Sequence, residues 1–274
     1  MLNAAAPIGV FDSGVGGLTV LRALRTELPH ESFIYLGDTA RLPYGTKSPE
    51  TVVRYAQQAA EALVARGIKA LVVACNTASA TALPALQLRF DDLPVIGVVE
   101  PGARAAVAAS RSGRIAVLAT EGTVRGGAYQ QSILTLRPEA QVQAVACQLF
   151  VALAEEGWVD GAVAEAAARR YLEPLLSAPP DQRPDVIVLG CTHFPVLRPV
   201  ITALAGNAVQ IVDSAATTAR CVSELLQQRG LLNTSSAPGE VRFLATDGLL
   251  RFTTVGVRFL GTAISAADVE LIDL

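Results

Sequence analysis

The sequence predicts an α/β fold assembled as two similar halves. Three observations carry this. Short Val/Ile/Leu-rich runs alternate with longer Ala-rich helical patterns along the chain. The runs are almost wholly apolar, which suits parallel strands buried on both faces. Two strand-and-turn segments also recur in the same order. IGVFDSG at 8–14 is echoed by IAVLATEG at 115–122, and VVACNT at 72–77 by VLGCTH at 188–193. The interval between copies is that of an ordinary domain. The expected architecture is two α/β domains with mainly parallel sheets, pseudo-twofold related, with the active site in the cleft between them.

Taken in order, strands are predicted at 8–11, 33–36, 70–74, 95–99, 115–119, 142–146, 186–189, 209–212 and 241–245. Helices fill the intervals. Ser48-Pro49-Glu50 reads as a cap, a proline at the first helical position and an acidic first turn, and the helix it opens closes on Gly67. Ser214 is expected to cap a helix running to about residue 228, with Gly230 just beyond.

Composition narrows the function. The chain has 274 residues, 51% apolar and 17% charged, with a net charge of -3. That allows a substantial core. No Lys/Arg-rich run marks a nucleic-acid partner, and no unbroken apolar stretch reaches transmembrane length. The start, MLNAAAPIGVFDSG, lacks the basic opening of a signal peptide, so a cytoplasmic location with reduced thiols is expected. The four cysteines, at 75, 147, 191 and 221, fit no CxxC spacing and are expected to be free.

In open α/β sheets ligands bind beyond the carboxyl ends of the strands. The residues predicted there are Asp12-Ser13, Cys75-Asn76-Thr77, Thr120 and Cys191-Thr192-His193, each before a helix. Helix starts offer free N–H groups, so a small anionic ligand is expected without Arg or Lys. FDSGVGG is neither a dinucleotide fingerprint, since position 19 is Thr, nor a P-loop, since GK[ST] is missing. Asp12 and Ser13 are read as site residues, with Gly14, Gly16 and Gly17 letting backbone approach a ligand.

Either cysteine alone reads as an inert core thiol. The two at equivalent strand ends read differently. A helix N-terminus lowers a thiol's pKa. Facing halves would put one thiol on each side of a ligand, which is what inversion of a stereocentre by two bases requires. Cys147 and Cys221 have no such setting and are read as structural. His193 can serve as a helix cap or as a proton partner of Cys191 or of the substrate. His30 is read as a solvated loop residue. Two distant histidines supply no metal-ligand set. Segment 37–48, with Tyr44-Gly45, fits a loop over the site or a plain connector equally. Glu155 and Glu156 fit surface charges of a helix.

FDSGVGGLTV (11–20), YLGDTARLPYG (35–45), VVACNTASA (72–80), GVVEPG (97–102), LATEGTVRGGAY (118–129), LGCTHFPVL (189–197) and VDSA (212–215) together resemble the glutamate racemases of the aspartate/glutamate racemase superfamily. The resemblance runs over most of the chain. It implies interconversion of L- and D-glutamate without a cofactor or metal, supplying D-glutamate for peptidoglycan. It implies a first domain of residues 1–98 plus 211–274 and a second of 99–210. It gives Cys75 as the base for the D isomer and Cys191 for the L isomer, assisted by Asp12 and His193. Ser13, Tyr44, Gly45, Asn76, Thr77, Thr192 and again Asp12 and His193 would hold the substrate, and Glu155 matches a glutamate sometimes given a catalytic role. A homodimer is the expected assembly. The chain departs from the family in Gln148 and Ala152, where proline is common, and in Gly126, where serine is common.

Overall fold

The computed structural model describes residues 2–274. In the first part of the chain the elements are β1 (Ile8–Asp12), α1 (Leu18–Glu27), β2 (Phe33–Gly37), α2 (Pro49–Val64), β3 (Ala70–Val73), α3 (Asn76–Arg89), β4 (Val95–Gly97) and α4 (Val99–Ala109). There follow β5 (Arg114–Ala119), α5 (Glu121–Gly126), α6 (Ala128–Leu136), β6 (Gln141–Ala146), α7 (Leu149–Glu156), α8 (Gly161–Leu176), β7 (Val186–Gly190) and α9 (Arg198–Ala205). The chain closes with β8 (Gln210–Asp213), α10 (Ser214–Gln228), β9 (Val241–Ala245), α11 (Leu249–Leu260) and β10 (Val269–Leu271).

Strand pairing sorts these into two sheets, β10-β9-β2-β1-β3-β4 and β6-β5-β7-β8. Every pairing is parallel. The order β2-β1-β3-β4 is repeated as β6-β5-β7-β8. The echo in the sequence is therefore an equivalence in the fold: β1 corresponds to β5 and β3 to β7. The first sheet is extended by β9 and β10 from the C-terminal segment. A division at residue 210 runs through β8, whose pairing with β7 keeps residues up to Asp213 in the second sheet.

Alternation along each strand feeds two cores per sheet. In β1, Ile8 and Val10 join Leu18, Leu21, Val222, Phe252 and Phe259 on one face. Phe11 joins Val52, Ala56, Leu63, Ala82 and Leu86 on the other. In β5, Ala116 and Leu118 pack with Phe150, Leu172 and Ile201, while Ile115 and Val117 pack with Ala103, Tyr129 and Ile133. The second sheet differs from the all-buried expectation at its edges. β6, the edge strand of its sheet, has only exposed and half-buried residues.

Helix starts follow their chemistry. Ser48 caps α2 by accepting a hydrogen bond from the Thr51 N–H at 3.3 Å, with Pro49 at the first position. α2 ends at Val64, before Gly67 turns the chain with φ of 74°. At α10 the cap is Asp213 and not Ser214. Its Oδ1 accepts from the N–H groups of Ala215 and Ala216 at 3.1 and 3.4 Å, and Ser214 is the first helical residue. Val98 and Val99, predicted as strand, instead open α4. Among the described residues no helix is long and apolar enough to cross a membrane.

Candidate active site between the two halves

β1, β3, β5 and β7 all end at the seam between the halves, and the predicted strand-end residues meet there. Cys75 stands two positions after the end of β3 and is the N-cap of α3, its Sγ accepting from the Ala78 N–H at 3.5 Å. Ser13 Oγ lies 3.5 Å from the same sulfur. Cys191 follows β7, but a 3₁₀ turn over Phe194–Leu197 comes next, with α9 only after it. The α-helical start expected after Cys191 is therefore absent. His193 takes its place as the partner, with Nδ1 3.8 Å from Cys191 Sγ. Cys75 and Cys191 are 5% and 6% exposed.

The thiol at the helix start does not have the low pKa its position alone suggests. Burial and the Asp12 charge raise Cys75 to about 12, against the hydrogen bonds with Ser13 and Ala78. Charge on Cys191 adds a smaller upward push. Asp12 is fully buried. Burial raises its pKa, opposed by the His193 charge and by backbone N–H groups of Gly17, Gly14 and Ser13. Its Oδ2 accepts from the Gly14 N–H at 3.0 Å, while Oδ1 has no partner.

On the other side, His193 is buried, which opposes its charge. Hydrogen bonding to Cys191 and Glu155, with their charges, more than compensates and brings its pKa to about 10. Nε2 stands 3.0 Å from Glu155 Oε1. Glu155 is thus brought to the site from α7, whereas Glu156 remains on the surface. Burial works against the Glu155 carboxylate too, but His193 and Arg251 hold its pKa below the usual value.

The halves are joined by polar contacts within the seam. Tyr129 donates to Asn76 Oδ1 at 2.8 Å, and Asn76 Nδ2 is buried without a partner. The hydroxyls of Thr77, Thr120 and Thr123 form a closed triangle of 2.9 to 3.2 Å edges. Thr19 donates to the Thr192 carbonyl at 3.1 Å. The glycines of the FDSGVGG turn serve the protein's own packing. A Cβ on Gly16 would sit 2.4 Å from His193 Nδ1, and one on Gly17 2.5 Å from Asp12 Cβ. The Gly14 carbonyl accepts from the Tyr35 hydroxyl at 2.8 Å.

Loop 37–48 lies over this region. Tyr44 is buried, with its hydroxyl donating to Asp38 Oδ2 at 2.5 Å, so it is already engaged. Gly45 abuts Thr120, where a Cβ would lie 2.9 Å from the Thr120 Cβ. Asp38 also accepts from Arg41 at 2.7 Å and Thr246 at 3.0 Å, and so pins the loop. Cys147 is buried behind the site, and Cys221 is half-buried within α10. His30 is exposed, 3.2 Å from the Ala237 carbonyl.

Sequence reasoning did not single out Asp38, Thr123, Tyr129, Arg251 or Arg258. YLGDTARLPYG and RGGAY held the first and third in plain view, but only contact across the seam gives them meaning.

The sequence pattern of the family described as Asp/Glu/Hydantoin racemase matches residues 16–222. The chain belongs to this family. A glutamate racemase from Geobacter metallireducens is 54% identical over 93% of this chain and 92% of its own. The solved glutamate racemase isoform from Bacillus anthracis superposes with a TM-score of 0.93 at 38% identity, covering 99% of each chain. That from Francisella tularensis, solved with D-glutamate, gives 0.90 at 37% identity and 98% coverage of both. Family members are isomerases, and the two-sheet architecture here is theirs.

Proposed function

We propose that this chain interconverts L- and D-glutamate by proton transfer at Cα between two thiols, without a cofactor, and so supplies D-glutamate for peptidoglycan. One observation carries the reading: Cys75 and Cys191 end equivalent strands of repeated sheets and meet in one buried seam, each with its own polar partner. The names of the relatives support glutamate as substrate.

In this reading Cys75 removes the proton from D-glutamate while Cys191 delivers one to the opposite face, and the roles reverse for L-glutamate. The α-proton is very weakly acidic, so the developing charge needs donors fixed in advance. Asn76 Nδ2 and the hydroxyls of Thr77 and Thr192 are suited to the substrate carboxylate, and the free Asp12 Oδ1 to its ammonium group. A cation there offsets the charge that raises Cys75, so substrate itself favours the thiolate. His193 serves as proton partner of Cys191. Ser13, Tyr44 and Gly45 shape the pocket. Closing the halves excludes water and fixes both sulfurs.

The test is circular dichroism of purified protein with either glutamate isomer and no added cofactor. Decay of the signal from both isomers is expected, with aspartate and a hydantoin as comparison substrates. Binding of glutamate without any decay would refute the reading.

A further inference from the structure

Helix α11 belongs to the first half, yet three of its side chains converge on the Cys191 side of the seam. Arg251 Nη2 lies 2.9 Å from Glu155 Oε2, the oxygen that His193 does not use. Arg258 donates to the Glu155 carbonyl, at the C-terminal end of α7 where a cation meets the negative pole of the helix. Phe259 sets its ring edge-on to His193 at 5.1 Å. Gly157 makes the approach possible: it has φ of 78°, and a Cβ there would lie 2.9 Å from the Arg258 guanidinium carbon.

Positions 251 and 258 fall on one face of α11, two turns apart, and Phe259, next to Arg258, turns toward the buried side. The first-half helix therefore grips the last turn of α7 by both its carboxylate and its backbone. Glu155 meets His193 within its own half, and the arginines that hold it there come from the other. The side-chain neighbours of Cys75 itself, Ser13 and Asp12, come from its own half.

We infer that Arg251 and Arg258 are positioning residues for the Cys191 side of the reaction, holding Glu155 on His193 when the halves close. The inference rests on the two-thiol reading. Arg251 moves no proton. It fixes the carboxylate that orients the imidazole beside the sulfur.

The directional isotope effect tests this. Arg251 is 58% exposed at its side chain, so substitutions there leave the fold intact. Arg251→Gln and Arg251→Lys are compared with the parent using protiated and 2-deuterated L- and D-glutamate. Loss of positioning should lower kcat/KM about tenfold or more in Arg251→Gln. Slowing the Cys191 step makes C–H cleavage from L-glutamate dominant. Its deuterium effect should rise and that from D-glutamate fall, with Arg251→Lys between parent and Arg251→Gln. Parent-like kcat/KM, or a loss that leaves both isotope effects unchanged, would overturn the inference. A parent that fails to racemise glutamate defeats the proposed function instead.

Discussion

The two thiols occupy equivalent places in repeated sheets but have different surroundings. Cys75 caps a long α-helix and leans on a serine and a buried carboxylate of the same half. Cys191 precedes a 3₁₀ turn and leans on an imidazole, which leans on Glu155, which is held by arginines of the other half. Duplicated topology thus fixes where a reactive group stands, while local sequence decides what surrounds it. Asp12 raises the pKa of its thiol. His193, whose own pKa is brought to about 10 by Cys191 and Glu155, stands beside the other.

The largest effects should come from the sulfurs themselves. Cys75→Ser or Cys191→Ser is expected to cut racemisation by about a hundred- to ten-thousandfold. If either variant keeps the parent rate in a polarimetric assay, the pairing of the two sides is wrong.

Their partners should differ in how they trade activity against stability. Asp12→Asn and His193→Asn should each lose activity by about tenfold or more. Burial raises the Asp12 pKa, so the native state keeps that proton to higher pH than the unfolded chain. The parent therefore loses stability as pH rises from about 4 through the raised value, and Asp12→Asn should melt at least as high as the parent at pH 7. His193 has the opposite sign of effect. Its pKa is raised, so its stabilisation is complete below about pH 6.5 and is lost as pH climbs to about 10. His193→Asn should flatten melting temperature across that range, as thermal scans at several pH values would reveal.

Gly16→Ala probes contact between the sides without removing a reactive group. Its Cβ would press on His193 Nδ1 at 2.4 Å and Thr192 Oγ1 at 2.5 Å. We expect activity to drop severalfold or more while circular dichroism stays native. Unchanged kinetics would mean that the seam need not close this tightly.

The smallest effect is expected at Gly126, the last residue of α5, where a Cβ would meet only Ala80 and Thr81 atoms at 3.7 Å or beyond. Gly126→Ala should stabilise by up to about 1 kcal/mol in denaturant melts. Serine, common here in the family, fits the same space.

Much of this was legible in the sequence because it is local. Apolar runs marked the strands from β1 to β9, and the paired Cys motifs marked the seam. β10 escaped because VEL is short and only Val269 is buried. The 95–99 run was cut short because Val98 and Val99 face a core from a helix as readily as from a strand. Asp213 displaced Ser214 as cap, since its carboxylate reaches two N–H groups. The triangle of Thr77, Thr120 and Thr123, the Tyr129–Asn76 bond and the arginine grip on Glu155 join residues far apart in the chain. No spacing in the sequence announces them. Nor does helix position reveal a pKa that burial reverses, as at Cys75.

The sharpest test follows the label in D₂O. D-glutamate is converted to a small extent, and both isomers are recovered and examined by proton NMR. Two thiols on opposite faces should yield L-glutamate carrying solvent deuterium at Cα while the remaining D-glutamate keeps its protium. Deuterium entering the recovered D-glutamate as fast as the L product would mean that one base serves both faces, contrary to the arrangement of Cys75 and Cys191 described here.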